Sequence, residues 1–327
     1  MGLELELLTP KGHSRVSFAR ALARRVKGRV EFGFKYFSEG TLPDGRPLCR
    51  LSLATRVLER NGRVLATLVD DNTIREGLAK KPQHRTLHAT DDLRLALLVE
   101  RLGWSDSEAT RLDAVRELFA GFERDGTLHD AFGHPLVVSM NEPTSWQRVC
   151  EVVTRPLEKD RAQVVWLVLQ TAAELGCTLP STAALHAHYD AEPWRDVTRL
   201  RRLIVAHAQH RAQWWRTLEP NPRCLKLAPF PPNVVRVAQQ PGRVSFPTFA
   251  AALKLAGVEK ACDLNLLGVI EPHPKQPTLE VRCLPMSLEP NRVLETLRAA
   301  ERVLADALVP NKPLLKRAPS GTLRRRV

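Results

Sequence analysis

The sequence predicts an α+β fold carrying an antiparallel sheet of about six or more strands. Three observations point there. Segments of period-two alternation are interleaved with amphipathic helical segments along the whole chain. Residues 51–58 and 64–69 bracket Arg60-Asn61-Gly62-Arg63, and Asn-Gly between two apolar strands is a strong hairpin signal. The chain has no GxGxxG and no Walker loop, so nothing argues for a doubly wound parallel sheet.

The elements follow in order. Leu3–Leu8 alternates leucine and glutamate and reads as a strand. Ser14 is positioned to cap a helix whose Phe18, Ala19, Leu22, Ala23 and Val26 share a face, with Gly28 as its stop. Val30–Phe37 and the two hairpin strands come next. Thr90 with Asp91 and Asp92 opens a helix to Gly103, and a second runs to about Phe122. Leu136–Met140 and Val149–Thr154 read as strands, and Asp160–Leu175 as a helix ended by Gly176. Ala184–Tyr189 is a strand, Asp196 to about Leu218 a helix, and Pro220–Pro232 a Pro-rich loop holding Arg223 and Lys226. Phe249–Ala256 is a helix stopped at Gly257, Leu279–Leu284 a strand, and Val293–Leu304 an amphipathic helix. Residues 1–310 are expected as one domain and 311–327 as a flexible basic tail.

Composition narrows the classes. The 327 residues are 43% hydrophobic and 26% charged, which excludes a disordered or fibrous chain. Val164–Leu169, the best apolar run, is far short of a membrane span. The opening MGLELELL carries acids where an export signal has basic residues, so a cytoplasmic location is expected. Six single cysteines without a CxxC pair read as reduced, mostly buried thiols. Net charge is +13, and the tail supplies six of it through Lys312, Lys316, Arg317, Arg324, Arg325 and Arg326, with no acid. A basic balance suits nucleic acid, phosphates or acidic substrates alike. With only two tyrosines and no aromatic–basic interleaving on a strand, stacking recognition of single-stranded nucleic acid has no support.

Four strands carry the candidate chemistry. Alternation puts Glu4 and Glu6 on one face of the first, opposite Leu3, Leu5 and Leu7. Two like charges on one face of a cleft need a cation, and carboxylates are the ligands that Mg²⁺ takes. Glu151 and Arg155 share a face of a second strand, His186, His188 and Asp190 a face of a third, and Glu280 and Arg282 a face of the fourth. The bland reading of each strand alone is a solvated edge or a cross-strand ion pair. Trp166, Trp214 and Trp215 read as helix packing, Asp70 and Asp71 as a turn cap, and Lys35 and Arg75 as surface residues.

Glu4 and Glu6 after Gly2, then CEVVTRPLE (150–158), LHAHYD (185–190) and TLEVRCLP (278–285), stand in the order seen in the amidoligase family, which this chain resembles from residue 2 to about 305. That family belongs to the carboxylate–amine ligases related to glutamine synthetase and glutamate–cysteine ligase. The resemblance implies a partly barrel-like antiparallel sheet with helices on its outer face, holding ATP and Mg²⁺ (or Mn²⁺) inside. It implies Glu4, Glu6, Glu151 and Glu280 as metal ligands, with Glu151 also able to serve the substrate. His186 and His188 would lie beside the nucleotide phosphates, and Arg282 would steady the transferring phosphoryl group. Arg223 is a looser match to a phosphate- or substrate-binding arginine. The implied partners are a small-molecule or peptide carboxylate and an amine acceptor. The chain departs from the family at Ala184, where glycine is frequent, and at Arg155, where a neutral residue is common. Two other functions compete: a metal-dependent hydrolase using His186-x-His188-x-Asp190, and a non-catalytic binding protein acting through the basic tail.

Overall fold

A computed structural model describes residues 1–10, 13, 15–41, 47–69, 85–88, 123–124, 127–128, 136–139, 148–224, 227–271 and 277–309. The expected helices between Thr90 and Phe122, the Ser14 cap, Asp70, Asp71, Arg75, Lys226, the Lys35 side chain and the basic tail lie outside the described residues. The chain divides into two compact units, Glu4–Pro180 and a second made of Met1–Leu3 with Ser181–Val327, so the division falls within the first strand.

Strict alternation shapes that strand. β1 (Gly2–Thr9) buries Leu3, Leu5 and Leu7 to 1% exposure or less, while Glu4 and Glu6 stay half-buried on the other face. Each fully buried leucine contributes roughly 1.5–3 kcal/mol. Helix α1 (Arg15–Arg25) turns Phe18, Ala19, Leu22 and Ala23 inward. The chain leaves it through Lys27, whose φ of 51° is left-handed, and the Gly28 amide donates to the Ala23 carbonyl over 2.9 Å. Gly28 itself is required by proximity: a Cβ there would lie 1.7 Å from the Leu58 carbonyl oxygen. Exposed Lys27 thus carries the backbone strain, and Lys27→Gly is expected to stabilise the protein by ~0.5–1 kcal/mol. An unchanged or lower urea midpoint would refute that.

β2 (Arg29–Thr41), β3 (Pro47–Leu58) and β4 (Val64–Val69) pair antiparallel, and the β3–β4 hairpin turns on Gly62 at φ 84°. Next come β5 (Arg85–His88), the short pair β6 (Glu123–Arg124) and β7 (Thr127–Leu128), β8 (Leu136–Ser139) and β9 (Arg148–Thr154). In this unit the strand order is β1-β9-β4-β3-β5-β8, with β2 also on β3. The expected antiparallel sheet is corrected at one end, where β5 pairs parallel with both β3 and β8. Helix α2 (Arg161–Glu174) buries Val164, Val165, Val168, Leu169 and Ala172 and meets α1. Trp166, expected as packing, is instead 39% exposed.

The second unit holds β10 (Ala184–Asp190), a 3-10 turn at Glu192–Trp194, α3 (Val197–Leu218), α4 (Pro232–Gln239), α5 (Phe246–Leu255), β11 (Leu264–Asn265), α6 (Leu267–Ile270), β12 (Thr278–Pro285) and α7 (Pro290–Leu308). Asp196, read from the sequence as the start of this helix, caps α3 by accepting the Arg199 amide at 2.8 Å. The antiparallel order is β11-β12-β10. Leu264, Leu279, Val281 and Cys283 form its buried apolar positions, and α3 and α7 add Leu200, Leu203, Ile204, Val293, Leu297, Ala300 and Val303 to the core. The fold is therefore mixed α and β with a mainly antiparallel sheet, and among the described residues neither strand path closes into a barrel. No helix among the described residues is long and apolar enough to cross a membrane.

Candidate metal and phosphate site

In the first unit, β1 and β9 are antiparallel with Glu6 directly opposite Glu151 and Glu4 opposite Val153. Directly opposed residues share a face with Cβ atoms about 4.5–5.5 Å apart, so all three glutamates project from the side away from the leucines. Carboxylate oxygens of Glu4 and Glu151 lie within 4.8 Å of each other. Glu151 is only 8% exposed. Like charges placed this way repel, and partial burial strengthens the repulsion. Carboxylate oxygens are ligands that Mg²⁺ and Mn²⁺ take. The strand ends at Thr154, so Arg155, expected to share its face with Glu151, lies just past it, and its guanidinium pairs with Asp160 and sits 3.9 Å from Glu59. The hydrogen bond to Asp160, outweighing burial, raises the Arg155 pKa and lowers that of Asp160. The arginine that departs from the amidoligase pattern is thus tied to the start of α2.

In the second unit, one row across three strands reads Asn265, Glu280, His188, each pair being register partners. Glu280 is 3% exposed and is the centre of the group. Its Oε1 accepts from Arg282 Nη1 at 2.5 Å and lies 3.5 Å from His186 Nδ1, while its Oε2 accepts from Asn265 Nδ2 at 2.7 Å. A register shift between Leu185 and Ala187 sets His186 at the irregular point of β10. His188 lies 3.0 Å from the Thr278 hydroxyl through Nδ1, and one of its ring nitrogens is within 4.8 Å of a Glu280 oxygen. His186, His188, Glu280 and Arg282 are therefore one cluster. Asp190 is exposed at the strand end, where its carboxylate accepts the Glu192 amide at 3.0 Å. Arg223 is exposed on a turn that Asn221 fastens to the Ser181 and Ala183 carbonyls.

Asn265 belongs to this cluster although no periodicity marks it, because β11 is only two residues long. A second group also escapes sequence reading. Asp263, 0% exposed, accepts on Oδ2 from His207 Nε2 (3.0 Å), Arg211 Nε (2.7 Å) and Trp215 Nε1 (2.9 Å), and on Oδ1 from Arg211 Nη2 (3.2 Å). Burial works to raise the Asp263 carboxyl, but these donors outweigh it and hold it below the usual aspartate range. The available signal is the i, i+4, i+8 spacing of His207, Arg211 and Trp215, which puts three donors on one face of α3.

Four of the cysteines are inert by the same reasoning. Cys150, Cys177, Cys262 and Cys283 are buried, and burial pushes the Cys177 and Cys262 thiols up to about 11 and Cys283 higher still. No family model matches the chain, and neither curated proteins nor solved structures provide a match.

Proposed function

We propose that the protein is an ATP-dependent carboxylate–amine ligase of the amidoligase kind, with a glutamine synthetase-like, partly barrel-like catalytic fold, forming an amide or isopeptide bond through an acyl phosphate. The observation that supports this reading is the placement of Glu4, Glu6 and Glu151 on one face of paired strands, with carboxylate oxygens of Glu4 and Glu151 within 4.8 Å of each other, a spacing that suits a divalent cation. In this reading Glu4, Glu6, Glu151 and Glu280 hold Mg²⁺ or Mn²⁺. The metal, when bound, neutralises the negative charge that spreads over a phosphoryl group in transfer.

The residues themselves have simple tasks. Phosphoryl transfer asks a protein for positioning and charge, with little covalent chemistry. His186 and His188 meet the nucleotide phosphates. Arg282 steadies the moving phosphoryl group, with its guanidinium oriented by the 2.5 Å bond to Glu280. Arg223, exposed on its turn, meets the acidic substrate or its phosphate. The carboxylate takes the γ-phosphoryl to give an acyl phosphate, and the amine then displaces phosphate to leave the amide. The hydrolase reading gains no separate support, because the Asp190 carboxylate is engaged at the turn that follows its strand.

Thermal melts with ATP, with and without Mg²⁺, test the proposal before any substrate is known. At about 100 times its Kd, Mg²⁺·ATP should stabilise the protein by about 2.7 kcal/mol. ATP in EDTA should do far less, and Glu280→Gln should remove most of the effect. Equal stabilisation with and without the metal would sink the assignment. Phosphate release and amide product, followed over a panel of carboxylates and amines, then identify the reaction.

A further inference from the structure

Glu280 is held by more than its arginine. The Asn265 amide has a defined orientation: its Oδ1 accepts the Leu267 backbone N–H at 3.0 Å, which turns Nδ2 toward Glu280 Oε2, 2.7 Å away. Asn265 and Glu280 are also register partners across β11 and β12, so backbone pairing fixes the distance between them. The result is a chain of three groups, from the first amide of α6 through Asn265 to the carboxylate. On the other oxygen, Arg282 Nη1 donates at 2.5 Å. A carboxylate gripped by one donor on each oxygen has lost its rotation about the last side-chain bond, and a ligand so fixed need not be ordered when a cation binds.

We propose that Asn265 is the positioning residue for Glu280, setting the plane of that carboxylate for a divalent cation. This rests on the reading of Glu280 as a metal ligand and adds a residue to it. Asn265 touches neither metal nor substrate in this assignment; it acts through Glu280 alone.

Because Asn265 acts through Glu280 alone, its effect on metal affinity separates it from a residue with a purely structural role. Mn²⁺ affinity is measured by the loss of the free-ion electron paramagnetic resonance signal in the full chain, for wild type, Asn265→Ala, Glu280→Gln and the double variant. Asn265→Ala is expected to weaken Mn²⁺ about 10–100-fold. Glu280→Gln should weaken it at least as much, and the double variant should be no worse than Glu280→Gln alone. Asn265→Asp, which keeps an acceptor for the Leu267 amide and loses the donor to Glu280, gives the same comparison if the alanine variant does not fold. Its own Mn²⁺ affinity should differ from wild type only while Glu280 is present. Additive losses in the double variant, or wild-type affinity in both Asn265 variants, would overturn the assignment while leaving the metal reading intact. Failure of the unaltered chain to bind Mn²⁺ at all would overturn both.

Discussion

Asp263→Ala is expected to cost about 3–5 kcal/mol of stability, because it leaves the Arg211 charge and the His207 and Trp215 donors facing an empty, buried position. The aspartate joins two elements that sequence keeps far apart. Its side chain is held by α3, while its carbonyl accepts the Arg282 amide at 2.9 Å and its amide donates to the Ala228 carbonyl at 2.9 Å. The surroundings reinforce the fixation: the His207 ring meets Trp214 and Phe230 edge-on at 5.2 and 4.9 Å, and Arg211 stacks 4.3 Å over Trp215. Losing the network therefore loosens β11 next to the Glu280 cluster as well as the core.

The pH dependence follows from the sign of the shift. The folded carboxyl lies below its unfolded value of ~3.9, so its stabilisation is fully present above that pH and is lost as pH falls through the folded value. Chemical denaturation of wild type and Asp263→Asn should show their difference at its largest above about pH 4 and shrinking below it. A difference that grows on acidification, or a variant as stable as wild type at neutral pH, would contradict this account.

What the sequence discloses and what it hides divide along one physical line. Features fixed by neighbours in the chain are readable. The alternation of β1, the Asn-Gly hairpin and the helix start at Asp196 each depend on residues within a few positions of one another. Features fixed by tertiary contact are not. Asp263 meets its donors across 48 to 56 positions, and Asn265 meets Glu280 across 15. Gly28 reads as a helix stop, and its amide does close α1 onto the Ala23 carbonyl, but the demand for glycine there comes from the distant Leu58 carbonyl. The Pro-rich segment ends in α4, whose first residue, Pro232, is the kind of helix start that a missing N–H permits. At the candidate site the same division holds. Alternation alone puts Glu4 and Glu6 on one face, whereas the register that sets Glu6 against Glu151, 145 positions away, has no local signal.

That opposition leads to the largest functional effect expected. On the proposed metal reading, Mn²⁺ should stabilise wild type well beyond Glu6→Gln or Glu151→Gln, since wild type gains binding energy that the variants lose with a ligand removed. Their Mn²⁺ affinity should fall by more than about 100-fold, a larger loss than for a residue acting through a ligand. The proposed ligase turnover should fall with it. The separation by the ion is the decisive feature, because solvated acidic side chains that only serve the sheet would give three proteins with the same response to Mn²⁺. Melts of three proteins in two buffers, EDTA and Mn²⁺, are enough to detect it. If both glutamine variants respond to Mn²⁺ as wild type does, these carboxylates serve the sheet and the metal assignment is wrong.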